Sequence, residues 1–129
     1  MATLAQIKKA IRNNYEVADE LQDILKLIFT FADDRSQVVF IEKSETANGE
    51  LWVQISSPIG LIDSDDIDSA LEIVAGKICG GLIKANGIHY IRHSMLADDL
   101  SYDELIRPLE VICGIADLLE EQFIGGDQY

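Results

Sequence analysis

Three runs in the first half of the chain read as strands, two of them by side-chain character that changes with a period of two, and turn residues stand between them. In "LKLIFTF", Leu25, Leu27, Phe29 and Phe31 fall on one side; "QVVFIEK" is rich in β-branched residues; in "LWVQIS", Leu51, Val53 and Ile55 oppose Trp52 and Gln54. A period of two sends successive side chains to opposite sides of a strand, which a helix cannot do. "ADDRSQ" supplies the first turn. Asn48-Gly49 inside "ETANGE" supplies the second, and that dipeptide is a strong hairpin signal. The runs predict an antiparallel meander.

Helical spacing surrounds it. "TLAQIKKAI" places Leu4, Ile7 and Ile11 on one stripe behind Thr3 as a cap, so a helix is expected from about Thr3 to Asn13. "YEVADELQDI" stays open between a loop and a short helix, because Ala18, Leu21 and Leu25 would continue the stripe. Ser57-Pro58 predicts the end of the third strand. Asp63 or Ser64 then caps a second helix with Ile67, Leu71, Val74, Ala75 and Ile78 as its apolar stripe and Gly80-Gly81 as its stop. "LIKA", the turn Asn86-Gly87 and "IHYIRHSML" form a second hairpin. "SYDE" is a capping box, Ser101 to Glu104, opening a long helix along Leu105, Leu109, Ile112, Ala116, Leu119 and Phe123. Gly125-Gly126 would end it, and Pro108 predicts a kink or a later start near Arg107. The order is α-β-β-β-α-β-β-α over one domain, residues 1–129: an α+β fold, an antiparallel sheet with helices packed on it.

At 129 residues and 48% hydrophobic composition the chain can build a core without disulfides. Cys79 and Cys113 lie far apart, outside any CxxC spacing, and read as reduced thiols in helices. No apolar run approaches the roughly 20 residues of a membrane span, and "MATLAQIKKAI" lacks the features of a signal peptide. A cytoplasmic protein is expected. The formal charge of −13, from ten basic and 23 acidic residues, disfavours nucleic acid and anionic membrane surfaces as partners. It favours solubility in a chain that exposes apolar surface.

Candidate chemistry is sparse. His89 and His93 are the only histidines and sit four apart. On a helix that spacing grips a metal; on a strand it separates the two by about 13 Å, and metal–nitrogen bonds of about 2 Å cannot span it. "DSDDIDSALEIV" resembles a calcium loop only superficially: with Asp63 first, the sixth position is Asp68 rather than Gly and the twelfth is Val74 rather than Glu. Asp33-Asp34 and Asp98-Asp99 fall where Asp serves turns. No nucleophile elbow or phosphate-binding glycine loop is present. No catalytic residue, metal site or cofactor is expected. Ile28, Val38, Phe40 and Trp52, out of phase with residues already apolar, mark strands that are covered on both sides or bind something.

"DDRSQVVFIEK", "SSPIG" and "LADDLSYDELIRPLEVICGIADLLEEQFIGGD" with its Ala116-Asp117 step, together with the element order, small size and acidity, resemble the YbjN family and, more broadly, the type III secretion chaperone-like fold. The resemblance covers essentially the whole chain. It implies a homodimeric, non-enzymatic, chaperone-like or regulatory module that binds an extended segment of a partner protein. Under that reading Leu4, Ile7, Ile11, Ile28, Phe40 and Trp52 contact the partner, and Leu71, Val74, Ile78, Ile91 and Met95 form the dimer contact. Acidic residues around the groove would favour basic, disordered clients. The alternative is a small-molecule-sensing domain with a pocket between sheet and helices.

Overall fold

The computed structural model describes residues 4–20, 24–31, 35–98 and 100–125. The side chains of Leu4, Ala5, Ile7 and residues 18–20 lie outside the described residues, as do the Thr3 cap, the Asp33-Asp34 pair, Asp99 and Gly126. The elements are α1 (Leu4–Asn14), β1 (Glu16–Glu20), β2 (Ile24–Thr30), β3 (Ser36–Glu45), β4 (Leu51–Gly60), a 3₁₀ turn (Ser64–Asp66), α2 (Ile67–Ala75), β5 (Gly81–Ala85), β6 (Ile88–Leu96), α3 (Tyr102–Leu119) and a π turn (Glu120–Ile124). All strand pairs are antiparallel in one six-stranded sheet, ordered β1-β2-β3-β4-β6-β5. The expected α+β class holds. Among the described residues no helix is long and apolar enough to cross a membrane.

The period of two decides which side of the sheet becomes the core. Leu25 and Leu27 stand opposite Ile41 and Val39, and Ile41 stands opposite Ile55. All five are buried, as are Val53, Ile59 and Ile91 on the same face. Onto this inner face α3 lays Leu105, Leu109, Ile112, Ala116 and Leu119, while α1 adds Ile11 and α2 adds Ala70 and Val74. Fully burying each such aliphatic side chain is worth about 1.5–3 kcal/mol. Two polar ties hold the layers in place. Tyr15 donates to Glu110 (3.1 Å), anchoring the end of α1 on α3. Arg35, at the entry to β3, pairs with Asp117 (3.0 Å) and lies 3.7 Å from the buried Glu120 carboxylate.

Several sequence expectations change. Residues 16–20 are neither loop nor short helix but a strand, with Val17 opposite Leu27, because β2 would otherwise be an unpaired apolar edge. The order is therefore α-β-β-β-β-α-β-β-α. The second helix stops at Gly76, not at Gly80-Gly81, and Gly81 already belongs to β5. Gly80 answers a different need: at φ +95, a Cβ there would lie 2.6 Å from Ile112 Cδ1, so only glycine lets this loop reach α3. With the helix shortened, Ala70 and Val74 face the core, whereas Leu71 (46% exposed) and Ile78 (91%) do not. The second hairpin turns at Asn86-Gly87, both at positive φ. The capping box at Ser101 and Glu104 is formed, so the long helix starts at Tyr102 and runs through Pro108. Its end widens into the π turn, closed by the Gly125 N–H to the Glu120 carbonyl (3.0 Å).

Nor does Ser57-Pro58 end β4. The backbone ladder with β3 closes at Phe40 opposite Ser56, and Pro58 brings no N–H to extend it. Side chains take over. Gln37 donates to Ser57 Oγ (2.9 Å) and to the Pro58 carbonyl (2.7 Å), and the Ser57 hydroxyl donates to the Val38 carbonyl (2.6 Å). Gln37 and Ser57 are both 0% exposed, so no water replaces these bonds. Gln37→Ala is expected to lower unfolding free energy by about 2–4 kcal/mol, through buried groups left without partners and the space left behind. A urea midpoint within experimental error of the parent would show that the bridge does not stabilise the fold.

Candidate functional site

Because the three helices feed one core, no layer among the described residues covers the other sheet face. None of Ile28, Val38, Phe40, Trp52, Ile83 or Tyr90 belongs to the core or packs against it, and all are half-buried by their strand neighbours. Strand register orders this outer face into rows. One row crosses Lys26, Phe40, Ser56 and Arg92, with Arg92 Nε donating to Ser56 Oγ (3.0 Å). On one side of it lie apolar pairs, Ile28 with Val38 and Pro58 with Tyr90, the latter continued by Ile83. Beyond a polar row, Trp52 stands opposite Leu96, which is 44% exposed. By register the same face takes Lys26 and Arg92 against Glu16, Asp19 and Glu42, a formal charge of −1 in a chain of −13.

The structure separates the sequence-derived contact residues. Ile28, Phe40 and Trp52 share the open face. Ile11, expected there as well, is 1% exposed and belongs to the core; a side chain so enclosed cannot meet a partner of the folded protomer. The Leu4 and Ile7 side chains lie outside the described residues. Of the expected dimer set, Leu71 and Ile78 are exposed on the outer side of α2 and the loop after it. Val74 (8%) and Ile91 (0%) are core residues, and Met95 packs on the core from the inner face. The stripe of His89, Ile91, His93 and Met95 on β6, expected from the sequence as a contact surface, faces inward. Its phase follows from Ile91 standing opposite Ser57 and Met95 opposite Val53.

His89 has a structural duty. A β-bulge between Pro58 and Gly60, with Gly60 at φ +116, turns the chain so that the Ile62 N–H donates to His89 Nδ1 (3.0 Å). The ring is 7% exposed and also hydrogen-bonds the Gly60 backbone. Burial and the neighbouring Lys84 ammonium lower its pKa below 6.5, and the backbone bond only partly opposes them. Burial also raises the Cys113 thiol to about 12, in line with a packing role. Among the described residues no group of three or more His, Cys, Asp or Glu is placed to hold a metal ion.

The sign of the His89 effect is set by its lowered value. Below pH 6.5 the unfolded chain takes up a proton that the folded chain refuses, so stability falls as pH drops from 6.5 toward the folded pKa. The His89→Gln variant retains an acceptor for Ile62 and has no ionisable ring. Its urea midpoint should fall less than the parent's between pH 7.5 and 5.5, about a unit either side of the free imidazole value. Equal falls would remove His89 as the source of the acid sensitivity.

Compared with known proteins, the chain matches no protein-family model and no curated protein.

Proposed function

We propose that this protein is a non-enzymatic, chaperone-like or regulatory module that binds an extended segment of a partner polypeptide and works as a homodimer. The open sheet face carries this reading: apolar and aromatic side chains stand in register over several strands, with no helix among the described residues packed on them. An extended segment laid across the rows would set its own side chains between Ile28, Phe40 and Tyr90. The charge balance of the face leaves its preference to apolar contact. A partner of net basic charge is favoured only at longer range, by the acidic remainder of the chain. A second recognition element is the free side of β5, an edge that lends itself to strand addition. The exposed Leu71 and Ile78 are assigned to the contact between copies.

A photo-crosslinking residue placed at Phe40 should capture a discrete polypeptide in native lysate. One placed at Leu118, exposed on the helical side, should not. Capture at both positions alike, or at neither, would sink the assignment of the face. Trp52 is the single tryptophan and lies on this face, so its emission should shift to the blue when the captured segment is added to purified protein. For the dimer, Ile78→Asp should weaken self-association by about tenfold or more, from the loss of one buried aliphatic side chain at the contact. Sedimentation that finds the parent protein monomeric at about tens of micromolar would overturn the dimer.

A further inference from the structure

The outer face is not the only concave or uncovered surface. At one end of the inner face, the connection from β4 to α2, the β5–β6 hairpin and the π turn after α3 enclose an open groove of about 810 Å³. That lies within the few hundred to about 1,000 Å³ of small-molecule sites. Its walls are Leu61, Ile62, Ile67, Phe123 and Ile124. Two backbone irregularities open it. The bulge and positive φ at Gly60 throw Leu61 outward, leaving it 58% exposed. The π turn adds a residue to the last turn of the long helix and carries Phe123 and Ile124 to the rim.

The polar side chains on the walls are Asp63, Ser64, Lys84 and His89. His89 Nδ1 accepts the Ile62 N–H, and the Gly60 backbone lies beside the ring. The Asp63 carboxylate accepts the Asp65 N–H (3.3 Å) as the cap of the 3₁₀ turn. Lys84, directly across from His89 in the hairpin, is the one cation on the walls and makes no ion pair among the described residues. We propose that this groove binds a monocarboxylate with an apolar body, its head group on Lys84 and its hydrocarbon against Leu61, Ile67, Phe123 and Ile124. One lysine supplies one charge-assisted contact. A dianionic phosphate would find no second cation among the described wall residues. A cation would face Lys84. This site lies apart from the open sheet face and does not depend on the protein-binding reading.

The test is titration of the uniformly ¹⁵N-labelled full chain with sodium octanoate, octan-1-ol and octylamine, followed by amide chemical shifts. Octanoate should give saturable shifts at Lys84, Ile67 and Phe123 and bind more tightly than the alcohol, with the amine weakest. Lys84→Met should weaken octanoate by about tenfold while leaving the alcohol unchanged. Leu61→Glu, a change at an exposed position, should weaken both. The proposal is overturned if Lys84→Met leaves octanoate affinity unchanged, or if the shifts map to Phe40 and Trp52 instead. Absence of saturable shifts up to about 10 mM would overturn it equally.

Discussion

One helix has to cover a sheet of six strands, and everything else follows from which side it covers. At 18 residues α3 spans about 27 Å. The sheet is about 24 Å across its strand axes. The helix lies across β3, β4 and β6, and the short α1 and α2 fill in beside it on that same side. Among the described residues no helix remains for a second layer. Strands whose two faces are both rich in apolar side chains are thus buried on one side only. The uncovered face is a consequence of element order and helix count, not of a local irregularity. Its half-buried apolar rows, uncovered by the helices, are what the protein-binding proposal rests on.

The core is closed by a chain of local compensations centred on Pro58. A proline in a central strand removes a ladder donor, and strands answer such positions with bulges. Here Gln37 and Ser57 carry the β3–β4 junction through side chains, and the bulge that follows shifts register against β6. That shift brings the His89 ring to the Ile62 N–H and projects Leu61 outward. The groove at the end of the sheet is a product of the same irregularity. A continuous β4 with an ordinary residue at Pro58 would need neither the glutamine bridge nor the imidazole strut.

Elements whose own residues determine them were legible in the sequence. The alternating runs, the Asn86-Gly87 turn and the capping box at Ser101 act through neighbours in the chain, and each is found as expected. What was not legible depends on distant residues. "EVADE" has weak strand character; it is a strand because β2 offers an edge. Ile78 kept helical phase with Val74, but Gly76 stopped the helix before it, so the stripe points outward. Gly80 looked like a helix stop because glycine serves both stops and close approaches, and only the position of Ile112 separates the two. Candidate contact residues divided along the same line. Ile28, Phe40 and Trp52 followed from strand phase, whereas Ile11 and Ile91 failed because phase alone does not say which face receives the helices. The Lys84 groove had no sequence signal, since its walls come from three separate segments.

The distribution of charge links these surfaces to the behaviour of the whole chain. Self-repulsion at −13 opposes close approach of two copies or of any acidic partner over about one Debye length, about 8 Å at physiological salt. The outer face is the exception, at a formal charge of −1 by register, with Lys26 and Arg92 in the Phe40 row. Most acidic residues lie elsewhere, among them those of the Asp63–Asp68 turn and of α3, while β1 brings acids to the edge of the face. An exposed apolar sheet on a neutral chain invites edge-to-edge and face-to-face aggregation. With the charge placed around the face rather than on it, non-specific approach is repelled at a distance while the apolar rows remain free for a partner that reaches contact. The acidic β1 extends the same protection to one sheet edge, which leaves β5, with its single Lys84, as the edge better suited to receive another strand.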